Sequence, residues 1–405
     1  NNFLFDTTRG NNKALSSNVS LAEATYSNSV NFATANGFNV GSWFGTGGDY
    51  ASWTFRKAEK FFDIVQWTGT QNASTVINHN VDGEVGMIIV KRTSGTGGWA
   101  VYHKSLGTGN YISLDQSYGS TTDAAFFPSV TSTNFRPGSD GDVNQSGITM
   151  TAWVFASDAG GYGDAGDEDI IKCGSYTGTG VSGKEVTVGF EPQFILVKVS
   201  AGSTGPWAIM DIMRGANGQA ARSLQPSSTS DEQTVGNYGA AAVQVTATGF
   251  TLMTDDDGGG NGNGNTYIYV AIRRPMKTPT AGTEVFQALS YTGTGTFPDG
   301  TDPVSGTATR TISSSLGFDV DMSMTYWRSG GSAPTPTASL MDKLRGVYNE
   351  LLTYDASAES QYSNTGPRYS TRASRAFDLH DYGVEQLNKS GQALVSYVFK
   401  RAPKF

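Results

Sequence analysis

The sequence predicts an all-β fold built from tandem antiparallel β-sandwich repeats. Three observations predict it: the composition, the self-similarity of the chain, and short apolar runs separated by glycine-rich turns. The 405 residues include 51 Gly, and only 16% of them are charged. Low charge with many turn-forming residues is typical of short strands joined by tight turns. Aromatic residues make up 11% of the chain, which is enough to build cores.

The end of each repeat is an apolar strand that follows a glycine by six residues. The strands are Trp53–Phe55, Trp153–Phe155, Val270–Ile272 and Tyr397–Phe399, and the glycines are Gly47, Gly147, Gly264 and Gly391. Asn and Gly in the preceding loops tolerate positive φ, so we predict a hairpin turn at each glycine.

The start of each repeat carries an aromatic-Thr-Gly-Thr motif. It reads Trp67–Thr70, Tyr176–Thr179 and Tyr291–Thr294. The recurrence indicates a unit of roughly 100 to 130 residues. Between these motifs lie two near-continuous apolar runs, residues 85–91 and 193–199, which we predict to be central strands.

The repeat phase divides the chain into four segments. Residues 1–56 form the back half of a sandwich, 57–169 a repeat with an acidic glycine-rich linker, and 170–283 a repeat with its linker. Residues 284–405 form a divergent repeat with a short helix at 341–354 and the start of a next unit. The helix prediction rests on apolar residues spaced three to four apart.

The first segment, residues 1–56, is incomplete as a sandwich. A half sandwich exposes an apolar face and an open sheet edge. We therefore expect upstream sequence or a neighbouring subunit to cover it, and the chain to belong to a longer product.

Composition excludes several classes of protein. The balance of 28 basic against 36 acidic residues, with no basic run, argues against nucleic-acid binding. Cys173 is the only cysteine, which excludes a disulfide scaffold and a cysteine-based zinc site. No apolar stretch reaches the length of a membrane span. The glycine-rich motif at 178–184 is followed by Glu185 and a strand pattern, so we interpret it as a turn and not a phosphate loop.

A calcium site is the metal hypothesis. The linker carries Asp158, Asp164, Asp167 and Asp169, and carboxylates are the ligands that Ca²⁺ prefers. The alternative is a solvated acidic linker, and we predict no other cofactor.

Aromatic residues near predicted loops are the candidate ligand-binding residues. They are Trp43, Tyr162, Tyr238 and Trp327. Aromatic faces stack on sugar C–H surfaces, so the expected ligand is a glycan. The alternative is packing at the rim of a core.

Three other features have structural interpretations. Trp99 and Trp207 share one repeat position, which favours packing. The pairs Asp6/Arg9, Asp211/Arg214 and Asp342/Arg345 recur in one turn, which favours a turn-stabilising contact. The histidines His79, His103 and His380 fall at different phases, and nothing in the pattern indicates a catalytic triad.

The repeat resembles a module of tail-fibre and virion-appendage proteins of tailed phages, notably marine phages. The resemblance is carried by residues 55–65 (Phe-Arg-Lys-Ala-Glu-Lys-Phe-Phe-Asp-Ile-Val), 86–92 with 99–103, and 266–274. It implies concanavalin-A-like, jelly-roll β-sandwiches and a structural or adhesive role in a virion. It carries over no catalytic residue.

These observations favour a non-enzymatic virion structural protein: a tail fibre, appendage or decoration. It would be extracellular, would assemble with copies of itself and with other virion proteins, and would attach to host-surface glycans by weak multivalent contacts. One alternative is a subunit of an extracellular filament completed by neighbouring strands. A glycan-cleaving enzyme is less favoured, because no carboxylate pair stands out.

Overall fold

The chain divides into two compact units, Asn1–Pro275 and Met276–Phe405. The computed structural model describes residues 2–33, 37–45, 49–163, 166–214, 216, 222–234, 242–254, 260–273, 281–294, 309–313, 316, 318, 320–329, 338–342, 349–352, 360–361, 369–372, 376–380, 387 and 390–401. Within these ranges the sheets are antiparallel, and helix is confined to a four-residue α-helix and two 3₁₀ turns.

The first unit contains three lobes, which we define as residues 2–56, 57–156 and 170–273, with a linker at 157–169. The first lobe has short strands and a 3₁₀ turn at Ser42–Phe44. Its strands are β1 (Phe3–Leu4), β2 (Lys13–Ser16), β3 (Ala24–Thr25), β4 (Val30–Asn31) and β5 (Asn39–Val40). They form a β1-β2-β3 sheet and a β4-β5 hairpin.

The second lobe is a complete sandwich. Its strands are β6 (Phe62–Thr68), β7 (Ile77–Asn78), β8 (Val85–Arg92), β9 (Trp99–His103), β10 (Asn110–Ser113), β11 (Thr121–Thr122), β12 (Phe126–Val130), β13 (Asn134–Gly138) and β14 (Thr149–Ala156). The sheet β11-β10-β9-β8-β14-β6 packs with the sheet β12-β13-β7. Helix α1 (Gly141–Asn144) begins after Asp140, whose carboxylate accepts a hydrogen bond from the Asp142 amide.

The third lobe repeats this arrangement. Its strands are β15 (Ile171–Thr177), β16 (Lys184–Thr187), β17 (Pro192–Ala201), β18 (Ala208–Asp211), β19 (Arg222–Ser223), β20 (Gln233–Thr234), β21 (Val243–Thr246), β22 (Gly249–Leu252) and β23 (Thr266–Arg273). Its sheets are β15-β23-β17-β18, β16-β22-β21 and β19-β20. The glycine-rich segment before β16 leads into a strand, as the turn interpretation requires.

The second unit has the same central strand order. Its strands are β24 (Phe286–Thr292), β25 (Thr309–Ser313), β26 (Met322–Ser329), β27 (Ala338–Asp342), β28 (Asn349–Leu352), β29 (Ser360–Gln361), β30 (Tyr369–Arg372), β31 (Ala376–His380) and β32 (Ala393–Phe399), and a 3₁₀ turn precedes them at Gly282–Glu284. Its sheets are β24-β32-β26-β27-β28-β29 and β25-β31-β30. Its core includes Phe318, Met341 and Val398.

The last strand of each complete sandwich lies between the first and the central strand of its sheet. Thus β14 lies between β6 and β8, β23 between β15 and β17, and β32 between β24 and β26. The glycines that precede these strands, Gly147, Gly264 and Gly391, all have φ of 75°. This left-handed conformation is readily adopted by glycine, so the predicted glycine turns are confirmed at these three positions. Gly47 lies outside the described residues.

The first lobe contains the strands of a back half only. Its β1 pairs with β2 through Leu4 and Leu15, as β9 pairs with β10 through Val101 and Ile112. Residues 49–57 occupy the repeat position of β14 and β23. They pair with no strand in the described part of the chain.

The three lobes share one hydrophobic core. Its fully buried members come from the first lobe (Leu15), the second (Trp99 and Val154) and the third (Trp207 and Val270). Strands at this core are buried on both faces, because one face meets the core of their own lobe and the other meets the shared core. This explains why β8 and β17 read as near-continuous apolar runs.

The helix predicted over residues 341–354 is wrong. Among its described residues, Met341 and Asp342 end β27, and 349–352 form β28. Leu340 and Leu351 lie opposite each other across this strand pair. The spacing of Leu340 and Leu351 arises from the pairing of two strands, whereas Leu344 and Val347, which share the helical spacing, lie outside the described residues.

The all-β fold with antiparallel sheets is confirmed. The concanavalin-A-like jelly-roll assignment stays a prediction, as does the division at residues 56, 169 and 283. Residues 1–275 pack together into one compact unit, and the three lobes contribute to one hydrophobic core within it. No helix among the described residues is both long and apolar enough to span a membrane.

Candidate functional site

A buried lysine joins the second lobe to the first. Lys91 lies near the end of β8, and its side chain is 0% exposed. Its Nζ donates to the carbonyl oxygen of Ser20 in the first lobe at 2.9 Å, and to the carbonyl of Gly97 in its own lobe. It also lies 5.6 Å from the ring centroid of Trp99. These contacts satisfy an ammonium that would otherwise be costly to bury.

The third lobe has the same lysine contact with the second lobe. Lys198 lies in β17 and is 1% exposed. Its Nζ donates to the carbonyl of Ser117 in the second lobe at 2.9 Å and to that of Gly205 in its own lobe at 2.5 Å. The same repeat position therefore holds a buried lysine at two successive junctions between lobes. We call the side chains that donate hydrogen bonds across such a junction a clamp.

A tryptophan completes each clamp. The indole Nε1 of Trp99 donates to the carbonyls of Ser16 and Val19 in the first lobe, at 3.2 and 3.1 Å. That of Trp207 donates to the carbonyl of Ser113 in the second lobe at 2.8 Å. Both rings are fully buried, so their predicted role in packing is confirmed.

An asparagine takes the tryptophan position in the first lobe. Asn2 precedes Leu4 by two residues, as each tryptophan precedes its strand-paired residue. Its Nδ2 donates to the carbonyls of Gln225 and Ser228 in the third lobe, at 2.8 and 2.9 Å. Relative to the strand pairing, these carbonyls correspond to those of Ser16 and Val19.

The clamps close a ring of three lobes. The second lobe docks on the first, the third docks on the second, and the first docks on the third. Ser17 strengthens the closing junction, since its Oγ donates to the carbonyl of Pro226 at 2.7 Å. Each lobe therefore donates hydrogen bonds to one neighbouring lobe and accepts them from the other.

A second contact uses the recurrent Asp–Arg turn. In the first lobe Asp6 accepts from the amide of Arg9 at 2.9 Å and from its Nε at 2.5 Å. The guanidinium also pairs with Glu23 at 3.3 Å. It lies 5.7 Å from the ring centroid of Trp153 in the second lobe.

The equivalent turn of the third lobe contacts the first lobe. Asp211 accepts from the amide of Arg214 at 2.9 Å and from its Nε at 2.7 Å. The Nε1 of Trp53 donates to the Asp211 carboxylate at 3.0 Å, and the Arg214 guanidinium lies 5.0 Å from that indole ring. The predicted turn-stabilising contact is confirmed in both described copies; the arginine of the Asp342 pair lies outside the described residues.

Histidine replaces aspartate at this position in the second lobe. His103 is fully buried, and its Nδ1 accepts from the amide of Ser105 at 3.2 Å. Its Nε2 therefore carries the proton and donates to the carbonyl of Tyr269 in the third lobe, at 3.1 Å. The second set of contacts thus also joins all three lobes.

The extent of this body matches a known family. A family model described as "Domain of unknown function (DUF7483)" matches residues 1–275. The chain belongs to the DUF7483 family. The matched range is that of the first compact unit, so the DUF7483 domain is the ring of three lobes. No curated protein matches the chain.

Burial shifts the pKa values of the ring's ionisable groups. It lowers the pKa of Lys198 to about 7 and that of Lys91 to about 8, the latter against the opposing charges of Asp115 and Asp142. It lowers the pKa of His103 to about 4. A neutral lysine amine still has two protons for two carbonyls, so the clamps persist when the charge is lost.

Two predicted ligand-binding aromatics lie among the described residues of the DUF7483 domain. Trp43 lies in the 3₁₀ turn of the first lobe and is half-buried. Tyr26 stacks on its ring at 4.5 Å and Phe3 meets it edge-on at 4.8 Å. Tyr162 lies in the linker, where its hydroxyl donates to the carbonyl of Glu59 at 3.0 Å. Both rings make contacts within the domain.

Of the other two predicted aromatics, one lies in the second unit and one is not described. Trp327 lies in β26 of the second unit, opposite Leu394 of β32, and not in a loop. Tyr238 lies outside the described residues. The glycan-binding role of the four residues stays a prediction.

The linker aspartate nearest the second lobe is held by protein cations. Asp158 lies 3.1 Å from Lys172 and 3.4 Å from Lys104, and its carboxylate accepts from the Ser157 hydroxyl at 2.8 Å. Burial would raise the pKa of Asp158, but these hydrogen bonds and charges outweigh it and the pKa is lowered. The carboxylate joins the linker to both flanking lobes.

The remaining predicted calcium ligands do not gather around it. Asp169 accepts from the amide of Gly160 at 2.8 Å, Asp167 is exposed, and Asp164 lies outside the described residues. Among the residues that the structure describes, no three acidic, histidine or cysteine side chains are placed to hold a metal ion. Calcium binding stays a prediction.

Sequence reasoning missed the clamp residues Lys91, Lys198 and Asn2. The signal for the lysines was a charged residue at one position of two apolar runs that are otherwise alike. The signal for Asn2 was its place four residues before the Asp–Arg turn, where the other lobes have tryptophan. Neither signal reveals the partner lobe, because the acceptors are backbone carbonyls.

Proposed function

We propose that this chain is a non-enzymatic structural protein of an extracellular assembly, namely a tail fibre, appendage or decoration of a virion. The observation that carries the structural role is the clamp that recurs around the ring of the DUF7483 domain. Trp99, Trp207 and Asn2, which share one repeat position, join each lobe to a neighbouring lobe. Such a domain is a rigid building block.

The ionisable groups of the domain support a structural role over a catalytic one. The buried lysines and His103 bind backbone carbonyls. Burial raises the pKa of the Cys173 thiol, which favours its neutral form at physiological pH. These groups serve packing, whereas a catalytic group needs access to a substrate.

The virion assignment is supported by the resemblance of the repeat to modules of phage tail fibres and appendages. In such an assembly the chain would associate with copies of itself and with other virion proteins. Host attachment would come from weak glycan contacts at exposed loops, multiplied by the number of copies.

Immunoelectron microscopy of virions purified from cells that produce the chain tests this role. Antibodies against the full chain should label a projecting appendage, and pre-immune serum should label nothing. Label in a lattice over a capsid would support scaffolding without attachment. Particles that lack the chain altogether would contradict the proposal.

Glycan attachment has a separate test. Full-length chain displayed in many copies on beads should bind host-surface polysaccharide, while the same chain free in solution should bind weakly. Tyr118 is 68% exposed in the second lobe and is not one of the four predicted residues. Its substitution therefore serves as the control for substitutions of those four residues. Equal binding by beads bearing the chain and by bare beads would contradict the attachment role.

A further inference from the structure

The second unit has a sheet face that is apolar and only partly buried. Burial alternates along β32: Leu394 and Val398 on one face are fully buried, whereas Tyr397 and Phe399 on the other face are half-buried. Phe286 of β24 lies opposite Phe399 and is 36% exposed. Its ring centroid lies 5.1 Å from that of Phe399 and 6.2 Å from that of Tyr397. The three rings form a continuous aromatic patch.

The neighbouring strands extend this patch. Met322 and Met324 of β26 lie opposite Phe399 and Tyr397, and both are half-buried. Leu340 of β27 lies opposite Met324 and is half-buried as well. We call this surface the open sheet face, and its residues are Phe286, Met322, Met324, Leu340, Tyr397 and Phe399.

The corresponding face of the third lobe is closed. By strand register, Phe286 and Tyr397 correspond to Ile171 and Val270, each of which is 1% exposed. Both belong to the core that the three lobes share. The second lobe contributes Trp153, from the repeat position of Val270, to the same core. In the DUF7483 domain, like faces of the lobes therefore cover one another.

The clamp position on the open sheet face has an uncharged residue. Tyr326 takes the place of Lys198, since each lies opposite the fourth residue after the turn glycine, Gly391 or Gly264. Tyr326 is half-buried. A phenol can donate a hydrogen bond as an ammonium does, but its burial costs less because it carries no charge at neutral pH. The face can therefore become buried on association without burying a charge at this position.

We propose that the open sheet face binds the same face of other copies of the chain, so that three second units meet around a threefold axis. The DUF7483 domain shows this arrangement within one chain, since its three lobes contribute to one core. The second unit has the same central strand order as the complete lobes of that domain. Three identical copies form a closed assembly, in which each open sheet face is covered.

Sedimentation equilibrium of the full chain tests this interface. The chain should be a trimer at micromolar concentration. Phe286→Asp places a carboxylate in the apolar interface, so it should raise the concentration at half-dissociation at least about tenfold. Met324→Ser, on the next strand but one, should weaken association in the same direction. Tyr118→Asp, at an exposed tyrosine of the second lobe, is the matched control and should leave the trimer unchanged. Circular dichroism should show the same β-rich spectrum for all variants.

Three results would contradict the interface. A full chain that stays monomeric at the highest attainable concentration would overturn it, as would association that persists equally in the Phe286 and Met324 variants. A dimer that these variants dissociate would overturn the threefold arrangement. This interface rests on the self-association within the proposed function, and the two can fail separately: a monomeric chain that labels a virion appendage would overturn the interface and leave the virion role.

Discussion

The Nζ of Lys198 lies 2.9 Å from the carbonyl oxygen of Ser117, and this bond joins two lobes of one domain. The same contact joins Lys91 to Ser20 one lobe earlier. A buried lysine that binds carbonyls and no described carboxylate is an unusual junction. Its consequences for stability and pH dependence can be measured.

Replacement of Lys198 by methionine should destabilise the domain. Methionine fills the space of the aliphatic chain but leaves the Gly205 carbonyl without this donor, whereas the Ser117 carbonyl still accepts from the Gly205 amide at 2.9 Å. An unsatisfied buried acceptor costs about 1–3 kcal/mol, so we expect a loss of about 2 kcal/mol in the free energy of unfolding. Denaturant unfolding measures it. The control Lys184→Met, on the partly exposed strand β16, should change stability by less than about 0.5 kcal/mol.

The stability of the domain should rise between pH 7 and 8.5. Burial lowers the pKa of Lys198 from 10.5 to about 7, so in this range the unfolded chain binds more protons than the folded chain. The free energy of unfolding then increases with pH, by at most about 1.4 kcal/mol per pH unit for one full proton. Urea titrations at several pH values should show a shallower slope for Lys198→Met. Equal slopes for the two proteins would be inconsistent with this shift.

Acid should destabilise the domain partly through His103. Burial lowers the pKa of His103 from 6.5 to about 4, so the unfolded chain takes up a proton first as the pH falls. Stability should decrease from pH 6.5 towards pH 4 and this contribution should then level off. Gln in place of His103 keeps a donor for the Tyr269 carbonyl without titrating. The variant should lose less stability than the wild type over this range, as urea unfolding would show; a parallel loss would argue against a role for His103.

Removal of the indole donors at the junctions should weaken the association of the three lobes. Trp99→Phe and Trp207→Phe keep an aromatic ring but lose bonds to the preceding lobe, and each should cost about 1–2 kcal/mol. Trp67 is the matched control, since its buried Nε1 has no hydrogen-bond partner within the part of the chain that the structure describes. Trp67→Phe should be neutral or stabilising in thermal unfolding. A similar loss in all three variants would show that the lost volume of the indole side chain, and not the lost hydrogen bond, causes the destabilisation.

Repeat anchors in the sequence predicted the parts of the fold that local chemistry controls. The glycine turn at Gly147, the central strand at 85–91 and the Asp6–Arg9 turn were all predicted and found. Each depends on residues close in sequence or on one pattern of burial.

Contacts between lobes were beyond sequence reasoning. The acceptors at Ser20 and Ser117 are backbone carbonyls, which every residue has, so no side-chain pattern marks them. Periodicity also misled at residues 341–354, where the repeat position of Asp342 was the better guide. Loop aromatics such as Trp43 were predicted as ligand contacts because sequence cannot show that Tyr26 and Phe3 pack on the ring.

Hydrogen exchange of the full chain in increasing denaturant tests most directly the claim that three lobes form one closed body. Peptides that cover β2, β8 and β17 should lose protection at one denaturant concentration, and Lys198→Met should lower that concentration for all three. Separate transitions for the three strands, with the substitution affecting the third lobe alone, would contradict the ring.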